Sequence, residues 1–159
     1  DERYTGDRSA FDVYVRYQNK SGGEGFIGIE VKYHEGLGDP VADHRSRYDE
    51  LAQEMGCFNQ EQIPRLKQKP LQQIWRDHLL VGAHRLVDNF EDGFFVFLYP
   101  KDNTACVQAV ASYAECLNDS LTFVPWTLEQ FVETLIQHSE ADWIKSFWNR
   151  YLDFNRLDQ

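Results

Sequence analysis

Hydrophobic and polar positions alternate along residues 11–17 (FDVYVRY). Phe11, Val13, Val15 and Tyr17 take one side, and Asp12, Tyr14 and Arg16 the other. A period of two predicts a half-buried strand. Residues 18–25 (QNKSGGEG) centre on Gly22 and Gly23 and predict a turn. Alternation resumes over residues 26–33 (FIGIEVKY), with Ile27, Ile29, Val31 and Tyr33 on one face and Glu30 and Lys32 together on the other. Two such runs around a short glycine-containing loop predict a β-hairpin.

Beyond the hairpin the period lengthens. Residues 36–43 (GLGDPVAD) read as a loop, residues 44–55 as a helix closed by Gly56, and residues 57–70 as irregular, with Pro64 and Pro70. Pro70 suits the first turn of a helix reaching about Asn89, with Leu71, Ile74, Trp75, Leu79, Gly82 and Leu86 on its inner side. Residues 94–99 (FFVFLY) are apolar on both faces, which predicts a central buried strand ended by Pro100. A helix over 104–117 capped by Asn103 or Asp102 follows, then a short strand over 121–124. Thr127 and Gln130 fit a capping box on a helix reaching about Gln137. A last helix over 141–154 carries Trp143, Ile144, Phe147, Trp148 and Tyr151 on one side. The order predicts an α/β or α+β domain with a hairpin and a central strand.

Composition narrows this. The chain has 159 residues, 42% hydrophobic, which suits one folded domain with a real core. No apolar run approaches the ~18 residues of a membrane span, and no charged-then-apolar leader opens the chain. The odd, widely spaced Cys57, Cys106 and Cys116 match neither a disulfide framework nor a zinc site, so a reducing cytoplasm is expected. The formal net charge of −10 runs against the basic footprint of proteins that grip nucleic acid. Net charge is a sum, however, and a local Arg/Lys patch, a homodimer, a partner protein or a bound metal can supply the positive field.

The candidate chemistry lies in the hairpin. A turn centred near residues 21–22 brings Asp12 opposite Glu30 or Lys32, and either register puts all three on one face, within about 5–8 Å by cross-strand geometry. Phosphodiester hydrolysis needs a hydroxide near neutral pH, neutralised charge on the transition state and help for the leaving oxygen. A hard cation anchored by one or two carboxylates serves all three. Asp12 and Glu30 are the candidate anchors for Mg²⁺, with Mn²⁺ as a substitute, and the Val31 carbonyl is a candidate backbone ligand. Lys32 is placed to orient the attacking water and stabilise developing negative charge.

Asp12, a spacer of 17 residues and Glu30-Val31-Lys32 resemble the PD-(D/E)XK nuclease superfamily, with its restriction-endonuclease-like fold. The wider context (IEVKYHE, WRDHLLVGA, FFVFLYP) is similar to a bacterial branch labelled PGN_0703-like endonucleases. The resemblance covers roughly residues 8–100 and fades towards the C-terminus. It implies an α-β-β-β-α-β core with a central mixed sheet flanked by helices and Asp12 at the start of the second strand. It also implies that Arg76 and Gln73, on the following helix, face the site and contact substrate. Only eleven residues precede Asp12, so the front helix and strand are expected to be missing, and residue 11 is Phe where the motif's name has Pro. The expected whole is one domain over 1–159, a Mg²⁺-dependent DNA endonuclease.

Plainer readings compete. Glu30 and Lys32 also fit a solvated strand face with a surface ion pair, contributing at most about 1 kcal/mol. Arg76 fits an Asp77-paired helix residue as well as a phosphate contact. Glu35 reads by default as a loop carboxylate and His34 as a loop-flanking histidine. At the level of function, the rivals are a nuclease-fold binding module without activity and a small hydrolase that uses Glu30 or His34 without nucleic acid.

Overall fold

The computed structural model describes residues 3–38 and 40–153. The hairpin pairs β1 (Val13–Gln18) antiparallel with β2 (Glu24–Val31), with Val13 opposite Ile29. This register extends to Asp12 opposite Glu30, the first of the two alternatives above. The turn between them is built by Asn19. Its carbonyl accepts from Gly22 N at 3.0 Å, its side-chain oxygen from Gly23 N at 2.8 Å, and Gly22 takes φ 91°, which a side chain would resist.

Three helices connect β2 to β3 (Asp92–Tyr99): α1 (Ser46–Met55), the single turn α2 (Ile63–Leu66) and α3 (Leu71–Val87). Strand β3 runs parallel to β2, and α4 (Thr104–Ala114) carries the chain to β4 (Phe123–Thr127), parallel to β3. The sheet order is β1-β2-β3-β4. Helices α5 (Leu128–His138) and α6 (Asp142–Tyr151) follow β4. The result is a mixed four-stranded sheet flanked by helices on both faces. Parity sorts the core. Phe26, Phe95, Phe97 and Tyr99 pack with α1, α3 and α4, whereas Ile27, Ile29, Val96 and Leu98 pack with α5 and α6. Glu30 shares the parity of Phe26 and so projects towards α3.

Most helix ends follow the local chemistry of the sequence. Gly56 closes α1 in the left-handed region, Asn103 caps α4 by accepting from Cys106 N at 3.1 Å, and Thr127 with Gln130 forms the capping box of α5. Several details differ from expectation. Pro70 stands just ahead of α3 as its cap residue, and residues 60–66, expected to be irregular, form a 3₁₀ turn and α2 with Pro64 in its first turn. Leu86 and Trp143, placed by periodicity on inner faces, are 50% and 56% exposed. For α3 the physical reason is that it buries eleven of its seventeen residues, including Gln72, Asp77 and His78. Its buried face is wider than its apolar stripe. Among the described residues ahead of β1, residues 3–12 form turns and bends, with no helix or strand.

Candidate active site

The site forms where the C-terminal end of β2 meets the first turns of α3. Glu30 and Lys32 are 7% and 8% exposed, and Lys32 Nζ lies 2.8 Å from Glu30 Oε1. This is a buried ion pair, not a solvated strand face. Lys32 is just past β2, yet its backbone N–H still donates to Leu98 O at 2.8 Å, which fixes the direction of its side chain. On the opposite side, α3 presents Gln73, whose Nε2 donates to Glu30 Oε1 at 2.7 Å. Asp12 sits immediately before β1, exposed, and its Oδ2 accepts from Val31 N at 2.8 Å. An extended residue points its N–H and C=O to the same edge of the strand. The Val31 carbonyl therefore also faces the Asp12 side.

Asp12, Glu30 and Gln73 open on a cavity of about 330 Å³ whose wall also includes Ser9, Lys69, Arg76 and Asp77. The balance of charge is negative. Burial pushes the Glu30 carboxyl up from its ordinary pKa, and Lys32 offsets this only in part; Asp12 raises it further, by its charge and by hydrogen bonding to Glu30. The two acids face each other across the extended hairpin register and line the same cavity. Burial drives Asp77 well above its ordinary value, and the charge of Glu30 adds to that. Burial opposes the Lys32 charge, but the hydrogen bond and charge of Glu30 outweigh it and hold the ammonium protonated.

The structure places the other expected residues as follows. Arg76 lines the cavity, but it is neither free nor paired with Asp77. Its Nε and Nη2 donate to Asp7 Oδ2 at 3.1 and 2.8 Å, and Nη2 also donates to Ser9 Oγ at 2.8 Å. Asp7 gathers further donors from Thr5, Ser9 and Tyr48. Burial works against its charge, but these hydrogen bonds outweigh it and hold the carboxyl well below the usual range. The same contact, with burial, lifts Tyr48 to about 12. His34 points into solvent, and Glu35 accepts from Tyr33 N and His34 N as a loop carboxylate does. His78 is a core residue bridging Tyr113 and Thr122, with burial lowering its pKa to about 3.

Sequence reasoning missed Asp7 and Asp77. Asp77 is four residues from Gln73, one turn along the same helix face, and that spacing was the available signal. Asp7 meets Arg76 across 69 positions of the chain, and nothing local announces it.

A hard, oxygen-preferring cation fits this donor set. Glu30 and Asp12 are acids on facing positions of the hairpin that line one cavity, and Asp77 Oδ2 is a buried oxygen with no hydrogen-bond partner. Among the described residues, no group of three or more His, Cys, Asp or Glu side chains forms a preassembled cage. Mg²⁺ does not require one, because it is held by one or two carboxylates and keeps several waters.

The mixed four-stranded sheet with helices on both faces is that of a nuclease-type α/β protein. A family model described as the PD-(D/E)XK nuclease superfamily matches residues 1–153, and the chain belongs to that superfamily. Its members are usually nucleases and typically use divalent metals. No curated protein and no solved structure matches the chain. No helix among the described residues is long and apolar enough to cross a membrane.

Proposed function

We propose that this protein is a Mg²⁺-dependent endonuclease acting on DNA, of the PGN_0703-like branch, with its whole chain serving as one nuclease domain in the cytoplasm. The observation that carries the reading is the buried Glu30–Lys32 pair, whose Glu30 lines a cavity shared with Asp12 and Asp77. A buried ion pair contributes little net stability against an apolar replacement, because desolvation offsets the attraction. Two buried acids, Glu30 and Asp77, on the wall of one cavity with Asp12 are worse still for an empty protein. They suit a site that receives a cation.

In this reading Asp12 and Glu30 hold the cation, and the Val31 carbonyl is a third ligand. A bound Mg²⁺ supplies charge neutralisation and a water acidic enough to attack near neutral pH. Lys32 stays protonated, orients that water and stabilises charge developing on the phosphate. Gln73 holds the Glu30 carboxylate in place. Arg76 offers its Nη1 edge to a substrate phosphate while Asp7 and Ser9 fix the rest of its guanidinium. Three free, buried cysteines suit a reducing compartment. A homodimer or a partner protein supplies further DNA contacts.

The test is cleavage of supercoiled plasmid in Mg²⁺ by the parent, Glu30→Ala and Lys32→Ala proteins, each shown to be folded. The parent should nick DNA, lose activity in EDTA and regain it with Mn²⁺, and both variants should lose at least about a hundredfold in rate. Equal cleavage by all three would refute the assignment. A parent that binds DNA without cutting it would make this a binding module of the same fold.

A further inference from the structure

The acid that the reading above leaves without a task is Asp77. It is 6% exposed, lines the cavity beside Asp12 and Glu30, and its Oδ2 has no hydrogen-bond partner. A buried polar atom left unpaired costs about 1–3 kcal/mol, and native structures keep few of them. The nearby cations are committed elsewhere. Arg76 gives its Nε and Nη2 to Asp7 and Ser9, and Lys32 gives its ammonium to Glu30. The cavity, at about 330 Å³ and walled largely by polar groups, has room for ordered water between Asp77 and the two anchoring acids.

We infer that Asp77 is a positioning residue of the cation site, whose carboxyl accepts a hydrogen bond from water in the hydration shell of a cation held by Asp12 and Glu30. The inference rests on the proposed cation site. Contact through water, and not direct ligation, follows from two observations. The three acids do not converge as a cage among the described residues, and the ion that suits oxygen donors of this kind keeps much of its hydration. Helix α3 then serves the site twice from one face: Gln73 steadies the Glu30 carboxylate, and Asp77, one turn on, steadies the water. Such outer partners commonly set metal affinity by ten- to a hundredfold.

The test is calorimetric titration of the whole chain with Mg²⁺, together with melting of the metal-free protein, for the parent and Asp77→Asn. The variant should bind Mg²⁺ at least about tenfold more weakly at unchanged stoichiometry. Its metal-free melting temperature should hold or rise, because an unpaired buried carboxylate has been removed. Unchanged affinity overturns the inference. So does weaker binding accompanied by a lower metal-free melting temperature, which marks a structural role. Should Asp77→Asn not fold, Asp77→Ser is titrated under the same criteria. If the parent itself binds no Mg²⁺, the cation site fails and Asp77's role with it. If the parent binds and the variant binds equally, only the role of Asp77 fails.

Discussion

Lys32 and Asp7 are both charged residues in buried ion pairs, but the two pairs do different work. Lys32 neutralises Glu30, which lines the cavity, and is not itself among the proposed ligands. Lys32→Ala should therefore lower the cleavage rate by about a hundredfold or more while leaving Mg²⁺ binding close to that of the parent, as rate and titration measurements on the same preparation would show. Asp7 stands behind Arg76 and ties the segment ahead of β1 to Arg76 and Tyr48. Asp7→Asn removes one partner of a buried pair and should cost about 3 kcal/mol in chemical denaturation. The sign of its pH dependence follows from a folded pKa below the unfolded value. Its contribution is fully present above the ordinary carboxylate pKa of about 4 and is lost as pH falls below it, where the unfolded chain binds more protons. The gap in stability between parent and variant should accordingly shrink from about pH 5 towards pH 2.

At the scale of elements, local rules and tertiary packing separate cleanly. The Thr127–Gln130 capping box lies wholly within four residues, and Thr127→Ala should cost about 1 kcal/mol in denaturation. Gly28 is a tertiary matter: a Cβ there would lie 2.5 Å from the Phe11 ring. Gly28→Ala should destabilise by about 1–3 kcal/mol and, because Phe11 adjoins Asp12, also lower cleavage in assays at matched folded protein. The hairpin was legible because strand parity is strict. One face takes Glu30 and Lys32 together, and two of the three registers open to a turn centred near residues 21–22 add Asp12 to them; the third, with Asp12 opposite Val31, is the one the structure rules out. The buried strand at Phe94–Tyr99 was legible from its doubly apolar pattern. What stayed hidden depends on contacts far apart in sequence. The burial of Asp77 and His78 on α3 cannot be read from periodicity, because both are polar and count against a buried face. The exposure of Leu86 and Trp143 is hidden for the converse reason. Arg76 looked paired to its neighbour Asp77, yet the bends of residues 3–12 deliver Asp7 to it instead.

For the molecule as a whole, charge is the restraint on the nuclease reading. The net −10 repels a polyanion, and the cations at the cavity are already engaged: Lys32 with Glu30, Lys69 with Gly38 O at 2.7 Å, and Arg76 with Asp7. A divalent ion would reverse the sign of the field where the scissile phosphate sits. Binding of a labelled DNA duplex, followed by fluorescence anisotropy, should therefore be weak in EDTA and at least about tenfold tighter in Ca²⁺, a cation expected to fill the site without supporting cleavage. Equal binding in both conditions would show that the positive field comes from elsewhere. One cation shared between two carboxylates is the centre of the proposed site. Crystals soaked in Mn²⁺ measure this through the anomalous signal. A single peak about 2.1 Å from an oxygen of both Asp12 and Glu30 is the predicted result. A peak elsewhere, or none beside these two acids at saturating Mn²⁺, would contradict it.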